Sequence, residues 1–283
     1  MPDLQTSAAQ SVSTVTSQTT TGDRRRRRRT SGLVRSPLVV SVVGIGALLA
    51  LWELVVRLFD IPGYLFVGPV RALTEILDDP GYYWHHSLVT LQASVLGFGL
   101  GAVLGIACGA VIFYIPVVRH VLYPSLIAIN TIPKVALAPL FIVWFGFGLE
   151  SKVFVALTIA FFPLVISTFD GLASVPSELR ELARINRASK WQTMRKIELI
   201  YSLPSIFTGM KISISMAVGG AVVGEFIAGN SGLGYVILVA NSQVNLASMF
   251  AAFVWLAAMS LLLFMLVEYL GRVLLPWNQA ISK

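Results

Sequence analysis

Apolar residues in this chain come in long blocks separated by short polar stretches, the pattern of a protein that crosses a membrane several times. A spanning helix needs about 20 mainly apolar residues. The stretches 38–59, 88–113, 121–147, 153–172, 203–228 and 246–269 each supply them, so the pattern predicts six spans. The third contains Pro124, Pro133 and Pro139, which predicts a kink or break near residues 130–139. The second carries Gly97, Gly99, Gly101, Gly105 and Gly109, a spacing that lets a neighbouring helix approach closely. Both features are expected to serve helix packing rather than direct contact with a ligand. Tyr82, Tyr83 and Trp84 are expected at the headgroup level, where their polar tips meet water.

The polar segments set the orientation. Residues 1–23 are rich in Ser, Thr and Gln and nearly free of large apolar side chains, which predicts disorder. The run Arg24 to Arg29 follows, and the apolar stretch after it is too long for a signal-peptide core and lacks a small-x-small cleavage site. It is therefore expected to stay as the first span. Basic residues crowd the N-terminal tail and the 173–202 loop, whereas 60–87 holds Arg71 against four acids and 229–245 holds no charge. This alternation predicts both termini on the cytoplasmic side. The chain then divides into a tail (1–37), a six-helix membrane domain (38–275) and a short C-terminal tail (276–283).

Composition narrows the function classes. Of 283 residues, 56% are hydrophobic and 12% charged, about half the usual 25%. The net charge of +7 comes almost wholly from the arginine run, so the rest of the chain carries +1. A nucleic-acid protein spreads its basic residues over a docking face, so no nucleic-acid partner is expected. The single Cys108 excludes a disulfide framework, and three histidines leave little for metal chemistry. No catalytic residues, no metal site and no bound cofactor are expected. Gly229-Asn230-Ser231-Gly232 matches a serine-nucleophile pattern, but no histidine is expected within a span to act as its base, and the four residues also make an ordinary turn. Ion-coupled transport generally needs several buried carboxylates, and Glu225 alone qualifies. Of the ionisable residues expected inside the membrane, Lys134 lies at the broken part of the third span, Lys211 near the cytoplasmic start of the fifth and Glu225 near its other end.

The 173–202 loop is the most informative segment. Ser177 follows Pro176 as an N-cap, Glu178 and Glu181 occupy the first turn, and Leu179, Leu182, Ile185 and Asn186 keep helical spacing. A second short helix is expected over 191–200. Two such amphipathic helices suit either an anionic lipid surface or the groove of a soluble partner.

Glu181-Leu182-Ala183, followed by Ile197 and Leu203-Pro204, resembles the cytoplasmic loop signature of ABC importer permeases. The stretches 132–140 (IPKVALAPL), 144–148 (WFGFG), 188–193 (ASKWQT) and 231–235 (SGLGY) are similar to the sulfonate/nitrate/taurine branch of that family. The resemblance covers nearly everything but the tail. It implies an all-α integral membrane protein with six transmembrane helices of the type I ABC importer permease fold and a coupling-helix loop. It also implies a bacterial inner-membrane location, a second copy of the chain, two cytoplasmic ATPase subunits that carry ATP and Mg, and an extracytoplasmic solute-binding protein. Membrane lipid is a further expected partner. The chain has no Gly-x-x-x-x-Gly-Lys-Ser/Thr motif with which to cradle ATP phosphates itself.

On this resemblance the ATPase-coupling residues are Glu178, Glu181, Leu182, Ala183, Arg187, Ala188, Ser189, Trp191, Ile197, Leu203 and Pro204. The translocation path, lined by the third to fifth spans, draws on Asn130, Pro133, Lys134 and Glu225. The branch implies a small anion such as a sulfonate, taurine or nitrate, while some relatives carry aromatic acids or vitamin precursors. An ion-coupled transporter or channel is the alternative. Two positions depart from the signature. Arg187 stands where the family has a turn glycine, which is costly if the turn keeps its left-handed backbone. Ile200 stands where a proline is common. Either the turn is rebuilt or the loop docks on an adapted partner.

Overall fold

The computed structural model describes residues 37–277, so the arginine run, the tail before it and residues 278–283 lie outside the described residues. The chain divides at residue 48 into two units. In the first, residues 37–48 are helical and belong to α1 (Pro37–Leu58). All other contacts described below lie within the second unit.

Proline and polar caps punctuate the helices. Pro69 opens α2 (Pro69–Asp78), and Pro80 opens α3 (Pro80–Tyr114), where the Asp79 carboxylate accepts the Tyr82 N–H at 3.0 Å. Pro116 opens α4 (Pro116–Asn130) after a single-residue break. The expected interruption of the third span is present. A 3₁₀ turn (Lys134–Leu137) leads into α5 (Ala138–Phe145), and the two halves meet at 89°. Gly146, with φ of +80°, ends α5, and α6 (Leu149–Ala173) follows at once. The remaining helices are α7 (Ser177–Ile185), α8 (Lys190–Ala228), α9 (Leu233–Ser242) and α10 (Leu246–Leu274). Among the described residues α3, α6, α8 and α10 are each long and apolar enough to cross a membrane, and the bent pair makes a fifth such unit.

The central helix is α6, which packs against α3 on one side and α8 on the other. The glycine spacing of α3 explains this closeness. Gly97, Gly101, Gly105 and Gly109 recur every four residues and face α6, where an added Cβ on Gly105 would meet the Leu164 Cβ at 2.8 Å and one on Gly109 the Val165 carbonyl at 2.7 Å. Gly99, off this stripe, meets nothing within 4 Å. Gly220 and Gly224 of α8 similarly approach Ala156 and Lys152 of α6. The glycines thus serve packing, as expected.

Three expectations change. The segment 191–200 is the N-terminal end of α8 rather than a separate helix, because no breaker lies between Lys190 and Pro204. A π-helical turn over Met194–Glu198 absorbs one extra residue there and turns Glu198 inward. Ser177 is the first helical residue of α7, with Pro176 in the cap position and no side-chain cap bond, so Ser177 caps nothing. Tyr83 is buried, its hydroxyl 3.4 Å from Ser248 Oγ, rather than presenting its polar tip to water.

Candidate functional site

The segment joining α6 to α8 forms a two-helix element with a tight corner. After α7, the Arg187 N–H donates to the Arg184 carbonyl at 3.0 Å and the Ala188 N–H to the Ala183 carbonyl at 2.9 Å. These two bonds make a Schellman motif, whose C′ residue must be left-handed. That residue is Arg187, with φ of +53°. The turn is therefore not rebuilt; arginine adopts the conformation a glycine would. Two residues later a capping box begins α8: Ser189 Oγ accepts the Gln192 N–H at 3.2 Å and Gln192 Oε1 accepts the Ser189 N–H at 2.8 Å. Left-handed backbone costs a side-chain-bearing residue about 1–2 kcal/mol, and glycine gives back roughly 0.5–1 kcal/mol as unfolded-chain entropy. Arg187→Gly is accordingly expected to raise the melting temperature by about 2 °C, and Arg187→Val to lower it, as read by thermal unfolding of the purified protein.

Four of the sequence-chosen residues come together. Leu182, Ala183, Ala188 and Ile197 line one groove of about 280 Å³ with Asn186 and Gln192. Glu178, Glu181 and Ser189 are exposed outside it, and Trp191 and Ile185 expose 65% and 79% of their surface. Ala183 of α7 is buried against the described chain, while Leu182 and Ile185 leave an apolar edge of the helix exposed. Leu203 and Pro204 lie inside α8, beyond the groove.

A second cluster fastens this element to the spans, and sequence reasoning missed it. Glu198 is buried at the start of α8. One of its oxygens accepts the Arg180 Nε–H at 2.8 Å and the other accepts the Tyr114 hydroxyl at 2.6 Å. Arg180 also donates to the Leu172 carbonyl at 2.8 Å, and its guanidinium carbon lies 5.3 Å from the Phe113 ring centre. One arginine of α7 is so tied to the ends of α3, α6 and α8.

At the other end of α8 lies the turn 229–232. Buried side chains take the N–H groups at its end and at the start of α9. The Gly232 N–H donates to His86 Nδ1 at 3.0 Å, the Leu233 N–H to Thr90 Oγ1 at 2.8 Å, and the Gly234 N–H to Glu225 Oε2 at 2.7 Å. These are the first donors of α9, which a helix leaves unpaired unless side chains accept them. The Thr90 hydroxyl in turn donates to Glu225 Oε1 at 2.8 Å. Lys152 of α6, 3% exposed, donates to the Ser231 carbonyl at 2.9 Å. Gly232, with φ of +110°, leaves no room for a Cβ beside the Glu225 carboxylate. His86 approaches this turn, but it serves Gly232 and not Ser231, so the serine has no histidine base.

The residues chosen for the path separate. Lys134 donates to the Asn130 side chain at 2.8 Å and to its carbonyl at 3.1 Å, placing a cation at the C-terminus of α4, and lies 4.8 Å from the centre of the Phe162 ring. Pro133 precedes the 3₁₀ turn. Glu225 is fully buried in the turn network, away from that group. Lys152 and His86 were missed because the charge at 150–152 reads as a loop and His86 as a span end. The signal was the stripe Lys152, Ala156, Ala160, which continues the buried face of α6 one turn further.

A family model described as "Binding-protein-dependent transport system inner membrane component" matches residues 101–278. The chain is 37% identical to the riboflavin transport system permease protein RibX of Chloroflexus aurantiacus, over 82% of this chain and 87% of that one. It is 35% identical to the formylaminopyrimidine transport permease protein ThiX of Halalkalibacterium halodurans, over 82% and 93%. Among solved structures, a chain of the MetNI methionine ABC transporter in an inward-facing form aligns with a TM-score of 0.61 at 20% identity, covering 69% of this chain and 98% of that one.

Proposed function

The chain belongs to the family of binding-protein-dependent transport inner membrane components, and we propose that it is the permease subunit of an ATP-driven importer, with α7 and the start of α8 as its coupling element. It is a non-catalytic component of an ABC transporter. The groove formed by Leu182, Ala183, Ala188 and Ile197 carries this reading. It sits on a rigid corner and is bordered by exposed apolar residues, Ile185 and Trp191. Two cytoplasmic ATPase subunits would seat there on a pair of permease chains, with a solute-binding protein at the opposite face. In this arrangement α1 supplies the sixth span, both termini are cytoplasmic, and closure of the ATPases moves the two permeases as rigid bodies between inward- and outward-facing packings.

The proposed cargo is a small polar or anionic solute. The Lys134 ammonium at the broken third span supports an anion such as a sulfonate, taurine or nitrate. The names of the relatives RibX and ThiX support a second reading, a polar heterocycle such as a vitamin or a pyrimidine precursor.

Co-expression with an ABC ATPase subunit from the same genome, followed by affinity purification in mild detergent, tests the coupling element. Leu182→Arg places a charge in the groove at a position 54% exposed, so folding is retained. Such an anchor is expected to contribute 2 kcal/mol or more, about 30-fold in affinity. Loss of the ATPase from the purified Leu182→Arg and Glu181→Arg proteins is the expected result. An ATPase that stays bound in both, or solute uptake driven by an ion gradient in vesicles holding this chain alone, would replace the proposal with a secondary transporter.

A further inference from the structure

We propose that a second cavity of the cytoplasmic loop, on the other face of α7, binds the phosphate group of an anionic phospholipid between Arg184 and Lys190. The cavity measures about 360 Å³ and is lined by polar and charged side chains, among them Tyr114, Arg180, Arg184, Lys190 and Glu198. Its one carboxylate is already neutralised, since Glu198 accepts from Arg180 and from Tyr114. Arg184 and Lys190 have no carboxylate partner among the described residues. The cavity therefore presents two uncompensated cations to whatever enters it, which is the chemistry of an anion site.

Its position favours a lipid over a soluble anion or a protein carboxylate. Tyr114 is the last residue of α3, and Glu198 lies where α8 leaves the loop for its span. Exposed apolar residues adjoin both: Val111 and Ile115 flank Tyr114, and Leu199, Ile200 and Tyr201 follow Glu198. A ligand with a phosphate in the cavity and acyl chains along these residues satisfies both surfaces, and basic pockets between spans on the cytoplasmic side take lipid headgroups in this way. The cavity adjoins the ATPase groove, Ala188 and Thr193 lining both, but Arg180 and Arg184, four residues apart on α7, line it while Leu182 and Asn186 line the groove.

The inference rests on the cytoplasmic orientation given above. Its main test is run on the chain without ATPase, so failure of lipid retention there leaves the coupling element standing. The full chain, purified in detergent, is incubated with phosphatidylglycerol or phosphatidylcholine and its retained lipid measured by native mass spectrometry. Preferential retention of phosphatidylglycerol is expected, lowered about fivefold by each of Arg184→Gln and Lys190→Gln. Arg195→Gln, the same change of charge on an exposed residue outside the cavity, is expected to retain it. In a parallel arm inorganic phosphate is added without lipid. Phosphate binding at Arg184 and Lys190 with no lipid retention would assign the cations to a soluble anion and overturn the lipid source. Equal retention of the two lipids, or an equal loss in Arg195→Gln, would overturn the site. So would exclusion of the lipid by a bound ATPase, which would make the cavity part of the protein interface.

Discussion

Replacing Glu225 with alanine is expected to lower the stability of the protein by about 3–5 kcal/mol, the usual cost of removing one partner from a buried charge arrangement. Three groups lose their acceptor or countercharge at once. The Gly234 N–H and the Thr90 hydroxyl both donate to this carboxylate, and the Lys152 ammonium acts on it electrostatically. No water reaches the site to replace it, since Glu225 has no exposed surface. Glu225→Gln keeps an acceptor oxygen but offers an NH₂ where a donor already points, so a smaller loss of about 1–3 kcal/mol is expected. Unfolding of the purified protein followed by tryptophan fluorescence reads both. A cycle with Lys152→Met separates charge from hydrogen bonding. If the two single losses simply add in the double variant, Lys152 and Glu225 are not coupled and the electrostatic part of the account is wrong.

Why this cluster was hidden in the sequence is a matter of distance along the chain. His86, Thr90, Lys152 and Glu225 belong to three helices, and only packing brings them to one turn. Periodicity shows which residues share a face of one helix but not what that face meets. Glu225 was visible as an expensive buried charge. Its role was not visible, because a carboxylate that caps a helix start and one that lines a path look alike in a list of apolar neighbours.

The features that were legible have local causes. The four-residue recurrence of Gly97, Gly101, Gly105 and Gly109 makes a smooth stripe whatever the partner, so close approach to another helix followed from the sequence alone. The break at 131–133 followed from proline chemistry, whereas the sequence left open whether the turn at Arg187 keeps its left-handed backbone. Boundaries were less legible. Helix α6 begins at Leu149 because Gly148 provides its cap, although Glu150 and Lys152 give its first turn a loop-like charge. Helix α8 runs unbroken from Lys190 because polar residues do not end a helix that lacks a breaker, so the change from polar to apolar along it marks no helix boundary.

Glu198 carries the second large expected effect, and on the proposed function it would link fold to transport. A coupling element transmits force only if it is stiffly joined to the spans, and the corner between α7 and α8 is stiff by its own caps. The join to the spans is the carboxylate of Glu198, bridging Arg180 of α7 to Tyr114 of α3. Glu198→Ala leaves Tyr114 without its acceptor and Arg180 without its countercharge. The expected cost is about 2–4 kcal/mol, less than for a fully buried pair, since the Arg180 side chain is 32% exposed. Tyr114→Phe removes one charge-assisted hydrogen bond and is expected to cost about 1.5–3 kcal/mol. A merely structural role predicts lower melting temperatures with transport per ATP unchanged in the protein that remains folded. A transmitting role predicts more: in proteoliposomes holding the complete importer, below the melting temperature, Glu198→Ala retains the ATPase and its hydrolysis while solute uptake falls. The groove of Leu182 and Ile197 is intact in that variant, so binding survives and only its mechanical connection is cut. If uptake and hydrolysis fall together, the cluster holds the loop in place but does not transmit its movement.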